Sequence, residues 1–146
     1  DAVHRLRDEA GLPGMKVLEF AFSGPDNAYL PHHYQPGCIC YTGTHDNDTA
    51  VGWYEHASPE ERAFAETYLG VSGAESVRKA LLRCGQSSVA ELFVAQMQDY
   101  LGLGSEARLN VPGVAEGNWC WRLLPGQVSQ ELAEEIRSMT AAFSRC

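Results

Sequence analysis

Val3, Leu6 and Ala10 fall on one stripe of a helix that Gly11 and Pro13 then stop, so residues 1–10 read as the end of a helix. The chain is expected to begin inside an element and to continue a longer reading frame. Met15 to Ala21 (MKVLEFA) is a short β-prone run, and Cys38 to Thr42 (CICYT) is a more continuously apolar one. Runs of that kind suit strands buried on both faces. Between them, residues 23–37 form a loop rich in Pro, Gly and Asn. A polar loop from Gly43 to Asp48 follows the second strand, and Thr49 to Glu55 can close a helical turn or two. Ser58-Pro59-Glu60-Glu61 is a helix start, with Ser as the cap, Pro at the first helical position and Glu at the third closing a capping box. That helix is predicted to run to about Leu69, and another to run from Glu75 to Cys84. Val89 to Ala95 (VAELFVA) is the third strand. The stretch from Gly102 to Pro125 mixes Gly, Asn and Pro with two tryptophans, which predicts a long irregular loop. Ser129 then caps a closing amphipathic helix over 130–143.

Strands alternating with helices predict an α/β fold with a parallel sheet. Three strands are too few for a closed architecture, and a full (β/α)8 barrel takes about 250 residues. The 146 residues therefore read as a barrel fragment without internal repeat or linker, one piece over 1–146.

Composition narrows the partners. With 45% hydrophobic and 21% charged residues the chain is that of a globular protein, and 11 Lys+Arg against 19 Asp+Glu give a formal charge of -8. Such a surface repels phosphate backbones and anionic membranes, so no nucleic acid and no membrane is expected as a partner. No apolar run approaches the roughly 20 residues of a membrane span, and the opening segment is not a secretory signal, which predicts a cytoplasmic location. The five cysteines, at 38, 40, 84, 120 and 146, are not a disulfide framework. Cys38 and Cys40 should point to one face of their strand as small apolar side chains. No further Cys or His pair at ligand spacing completes a four-ligand set around them, and no metal or other cofactor is expected.

The chemistry concentrates where the second strand ends. Tyr41-Thr42-Gly43-Thr44-His45-Asp46-Asn47-Asp48-Thr49 brings donors, acceptors and two carboxylates to a strand's C-terminal end, which in a barrel is the active-site face. A cluster of that kind suits a sugar ring. In glycosidic transfer the ring flattens and its anomeric carbon gains positive charge while hydrogen bonds to the ring hydroxyls strengthen, and a fixed carboxylate serves both needs. The same three residues, Asp46, Asn47 and Asp48, also suit turn and cap positions ahead of a helix at Thr49. That plainer reading is preferred for Asp48, while Asp46 stands open between the two. An EF-hand is excluded by ligand spacing.

Five blocks then occur in one order: GLPGMKVLEFAF (11–22), YLPHHY (29–34), YTGTHDND (41–48), QDYLGLGSEARLNVPG (98–113) and GNWCWR (117–122). In them the chain resembles the amylomaltases, or disproportionating enzymes, which are 4-α-glucanotransferases. The resemblance implies a retaining (β/α)8 barrel of the α-amylase superfamily, with MKVLEFA, CICYT and VAELFVA as strands six, seven and eight. It implies a nucleophilic Asp after strand four and an acid/base Glu after strand five, both upstream of this chain. The third carboxylate, after strand seven, matches Asp46. By the same resemblance Asp46 and His45 hydrogen-bond the hydroxyls of the sugar at the cleavage point, Phe20 borders the sugar site and Asn110 is a polar contact of that region. Read alone, Phe20 equally suits core packing and Asn110 a turn. The implied partners are α-1,4-linked glucans or maltooligosaccharides and the N-terminal remainder of the same barrel.

The chain departs from the family pattern at His33, where most relatives carry Asn, at Cys38 and Cys40, which replace β-branched strand residues, and at Ser23, where some relatives carry an acid. Trp53, Trp119 and Trp121 are read as anchors for the elements that bear them, and His4 and His56 as solvated surface residues. Transfer of glucan segments leads the functional readings. Hydrolysis on the same fold differs from it only in the acceptor, and a non-catalytic glucan-binding module is the reading of another class.

Overall fold

A computed structural model describes residues 2–145. Three short strands, β1 (Gly14–Val17), β2 (Cys38–Tyr41) and β3 (Leu92–Val94), form one parallel sheet in the order β1-β2-β3. The register pairs Lys16 with Cys40 and Cys40 with Phe93. Six helices accompany them: α1 (Ala2–Glu9), α2 (Ala50–His56), α3 (Pro59–Leu69), α4 (Ala74–Ser87), α5 (Met97–Leu101) and α6 (Gln130–Ala142). The α/β class and the adjacency of the three parallel strands agree with the sequence reading. No helix among the described residues is long and apolar enough to cross a membrane.

The capping signals act where they were read. Ser58 accepts from the Glu61 amide and Glu61 reaches back to the Ser58 amide, which completes the capping box of α3, and Gly70 ends that helix in the left-handed region at φ 70°. Ser129 caps α6 by accepting from the Leu132 amide. Thr49 caps α2 through the Gly52 amide at 3.1 Å.

The first and third strands are shorter than the apolar runs predict. The run MKVLEFA leaves the sheet after Val17, and Leu18–Phe20 form a 3-10 turn. The physical reason is that Leu18, Ala21 and Phe22 all enter the core, which strand alternation does not allow, while the Glu19 amide donates to Thr42 O at 3.1 Å and holds the turn against the end of β2. In VAELFVA only Leu92–Val94 pair; the Glu91 amide already reaches Cys38 O, and Ala90 is buried as the chain enters the sheet. The 3-10 turns Pro31–His33 and Ser105–Ala107 lie in segments that read as loop, and the short helix α5 lies between the third predicted strand and the loop that starts at Gly102.

The core sits on one face of the sheet. Cys38 and Cys40 point there together, as expected, and meet Val77 and Leu81 of α4 and Ala50 of α2. Phe93 enters the same layer and faces Gly85, where any Cβ would collide with its ring. Trp53 anchors α2 on Phe22, with ring centroids 5.4 Å apart. Burial on both faces is not what the chain alone shows. On the opposite face Met15 is 57%, Leu92 51% and Val94 38% exposed, because the described helices cover one side only. His4 and Cys120 are exposed.

Candidate functional site

Since the three strands are parallel, the turns that follow them share one end of the sheet. There the Gly43–Asp48 turn, the 3-10 turn after β1 and the loop after α5 converge. The turn is locked from within by Asn47, whose Oδ1 accepts from the Thr44 amide at 3.0 Å and the Thr44 hydroxyl at 2.7 Å.

Asp46 stands at the tip of this turn with its carboxylate half exposed. Its Oδ1 accepts from Asn110 Nδ2 at 2.6 Å, and His45 Nε2 lies 3.4 Å from the same oxygen. Arg108 holds the backbone, donating from Nη2 to Asp46 O at 2.7 Å and from Nε to Asn110 O at 2.9 Å. His45 packs against Trp119, ring centroids 5.1 Å apart. The fold thus brings three of the four sequence-predicted site residues, His45, Asp46 and Asn110, into one cluster. Phe20 stays outside it, on the 3-10 turn after β1, edge-on to Tyr29 with centroids 5.9 Å apart. It is 52% exposed.

Asp48 differs from its expected role. Thr49, not Asp48, caps α2, and the Asp48 side chain is largely buried as a bridge between loops. Its Oδ1 accepts from the Thr49 amide at 2.7 Å and its Oδ2 from the Ser105 hydroxyl at 2.6 Å. Gly52 permits this approach, because a Cβ there would meet both Ser105 and Asp48. His56 is exposed as expected, yet its Nδ1 bonds Gly52 O at 2.8 Å and lies 3.8 Å from Asp48 Oδ2. Trp119 contacts the candidate site through His45 rather than serving only as an anchor, and it holds a left-handed backbone at φ 61°.

Beneath the turn lie two buried carboxyl groups. Asp99, at the start of α5, accepts from the Thr42 hydroxyl at 2.5 Å and from the Ala50 amide at 2.8 Å, tying the end of β2 to the start of α2. Burial pushes its carboxyl up, and those two hydrogen bonds oppose the shift. Arg78 braces α5 by donating to Asp99 O at 2.5 Å while Glu75 grips its other nitrogens, which draws Glu75 down to about 2. Glu19 is 6% exposed, and its Oε1 has no hydrogen-bond partner. Burial first, then the charges of Asp99 and Asp48, push the Glu19 carboxyl up from 4.5 to about 9, against the Asn47 amide and Arg108. A cavity of about 720 Å³ opens beside it, lined by Glu19, Asp46, Asp48, His56 and Arg108 among others. A second hollow of about 500 Å³ runs from Met15, Tyr41 and Val94 up to His45 and Asp46.

Glu19, Asp99, Ser105 and Arg108 are site residues that sequence reasoning missed. Glu19 did carry a signal, as the one acid inside an apolar run. Arg108 and Asp99 lie within the QDYLGLGSEARLNVPG block, but their contacts join segments about fifty to sixty residues apart, which no local pattern reports.

Comparison with known proteins gives this end of the sheet its context. A family model described as 4-alpha-glucanotransferase matches residues 1–128. The 4-alpha-glucanotransferase of Thermus thermophilus is 52% identical over 98% of this chain and 30% of its own length, and that of Synechocystis is 46% identical over 98% and 29%. The amylomaltase from Streptococcus agalactiae, solved in complex with acarbose, matches 99% of this chain and 30% of its own at a TM-score of 0.93 and 31% identity. The amylomaltase from Corynebacterium glutamicum, 19% identical with a TM-score of 0.66, shares the fold. The chain therefore spans about 30% of the length of the relatives it matches. On these matches, which run through the turn bearing Asp46 and the loop bearing Asn110, the chain belongs to the 4-alpha-glucanotransferase family.

Proposed function

We propose that this chain supplies one wall of the active site of a 4-α-glucanotransferase, its strands serving as strands six to eight of a (β/α)8 barrel and residues 1–146 as part of that single catalytic domain. The nucleophilic Asp and the acid/base Glu come, on this reading, from the part of the relatives' length that this chain does not span, so the chain by itself is inactive. The exposed face of Met15, Leu92 and Val94 supports it, since apolar strand faces of this kind call for further strands to cover them. The substrate is an α-1,4-glucan or maltooligosaccharide and the work is done in the cytoplasm.

The observation that carries the proposal is the Asp46 carboxylate, fixed at the exit of a parallel strand by Asn110 at 2.6 Å with His45 at 3.4 Å. Asn110 and His45 both approach Oδ1, and Oδ2 has no protein partner among the described residues. In a retaining double displacement, the upstream nucleophile attacks the anomeric carbon while the acid protonates the leaving oxygen. The covalent glucosyl-enzyme is then opened by the 4-hydroxyl of an acceptor glucan. Asp46 forms no bond in either step. Its role is to accept hydrogen bonds from ring hydroxyls, with His45 as a second contact, and to place a negative charge near the positive ring. Both interactions strengthen at the transition state. Arg108 and Asn110 hold the carboxylate in place beforehand, so little reorganisation is needed. Phe20 offers an exposed aromatic surface on the same rim.

Incubating the full-length protein with maltotriose tests the reading. Longer glucans plus glucose are the expected products; smaller sugars alone mean a hydrolase, and binding without turnover means a glucan-binding module.

A further inference from the structure

The buried carboxyl group beside the turn has no part in the mechanism above. Glu19 lies in the 3-10 turn after β1 with its amide bonded to Thr42 O at 3.1 Å, so its side chain is directed by backbone that is itself tied to the end of β2. The carboxyl fills the space under the turn so closely that a Cβ at Gly43 would sit 2.6 Å from Glu19 Oε1 and 3.0 Å from the Asn47 Cβ. Asn47 in turn closes the turn that bears Asp46 through its two bonds to Thr44. A group this enclosed, with one oxygen unpaired, is poorly placed to carry a charge.

We propose that Glu19 is a positioning residue that works as a neutral acid: it seats the Gly43–Asp48 turn and thereby Asp46, and its ionisation unseats the turn and sets the alkaline limit of activity. The groups facing it decide the sign. Asp48 of the turn and Asp99 of α5 oppose a negative charge on Glu19, while Arg108 of the following loop and the Asn47 amide favour it. Asp46, His56 and Glu61 line the same cavity and leave the balance acidic. The carboxyl is correspondingly raised to about 9, so it is neutral at neutral pH and ionises only in alkali. This inference rests on the transferase reading for its link to turnover, but the seating of the turn is measurable without it.

The test uses the full-length protein and three readouts from about pH 7 to about pH 10: transferase kcat, hydrogen-exchange protection factors of residues 43–48, and the infrared band of a protonated carboxylic acid. In the wild type, kcat falls by about tenfold per pH unit on the alkaline side, the slope of a single ionisation. Protection of 43–48 and the infrared band are lost over the same interval. Glu19→Ala lowers kcat and protection at neutral pH and shows no further alkaline fall, whereas Glu19→Gln, neutral and of the same shape, restores both and lacks the alkaline limb. An unchanged limb in Glu19→Gln, or a wild type whose turn keeps constant protection across the range, overturns the proposal. If Glu19→Gln does not fold, the wild-type protection factors alone decide. Loss of transfer activity in every form, with protection and infrared band behaving as expected, would count against the transferase reading and leave the role of Glu19 standing.

Discussion

Asp99→Ala removes the acceptor that ties the end of β2 to the start of α2, and its cost can be worked from the structure. Two buried donors, the Thr42 hydroxyl and the Ala50 amide, bond the carboxylate at 2.5 and 2.8 Å, and both Thr42 and Asp99 are fully buried. An orphaned buried donor costs about 1–3 kcal/mol, so two of them set a loss of roughly 3–5 kcal/mol, the collapse of the small cavity included. Asp99→Asn keeps an acceptor for Ala50 and presents an amide that the Thr42 oxygen accepts, so its loss is about 1–2 kcal/mol. Thr42→Val removes one donor together with its need for a partner and should cost about 1 kcal/mol. The two sites touch, so the double variant Thr42→Val/Asp99→Ala should be less destabilised than the sum of the singles by about 1 kcal/mol or more. Urea denaturation of the four forms of the full-length protein, followed by circular dichroism, supplies the cycle. An Asp99→Ala variant within about 0.5 kcal/mol of wild type, or an additive cycle, would refute the claim that this carboxylate holds the strand exit to α2.

Three further outcomes follow from the same geometry. Glu19 has a folded pKa above its ordinary value, so the stability it contributes is present below about pH 4.5 and drains away as pH rises towards about 9; the slope is about 1.4 kcal/mol per pH unit. Glu19→Gln should remove that slope, so its denaturant midpoint relative to wild type should rise with pH, and a constant difference would contradict the burial argument. Gly85→Ala forces a methyl group into the Phe93 ring and should destabilise by about 1–3 kcal/mol despite the better helix propensity of Ala, readable as a lowered Tm. Expressed on their own, residues 1–146 should, if the proposed barrel reading holds, bind hydrophobic dyes through the face of Met15, Leu92 and Val94, and a sharp unfolding transition of a dye-silent monomer would show that face to be covered otherwise.

Much of the fold was legible because its signals are local. The Ser58 capping box, the Ser129 cap and the apolar run around Cys40 each lie within a few residues, and each marks an element observed at that place. The end of β1 was not legible, because MKVLEFA reads as one β-prone run and only the demand of the core for Leu18, Ala21 and Phe22 together decides where the chain leaves the sheet. Turn chemistry marked Asn47 and Asp48 as polar turn residues, but which of Asp48 and Thr49 caps α2 depended on Ser105, 57 residues along the chain, drawing the Asp48 carboxylate away. The nearness of His45, Asp46 and Asn110 was expected from a family resemblance, since nothing in a 64-residue separation announces a 2.6 Å hydrogen bond. The long loop from Gly102 to Pro125 did read correctly as mostly irregular, and its role in carrying Arg108, Asn110 and Trp119 to the turn became visible only in three dimensions.

The central claim is that Asp46 stabilises the transition state through its charge, and Asp46→Asn in the full-length protein tests it most directly. The substitution keeps the shape and part of the hydrogen bonding to Asn110 but removes the charge. Steady-state transfer from maltotriose should show kcat lowered by roughly 10²-fold or more with KM little changed, the pattern of an interaction made mainly at the transition state, in a variant whose circular dichroism matches wild type. A folded Asp46→Asn variant with near-normal kcat would contradict the account.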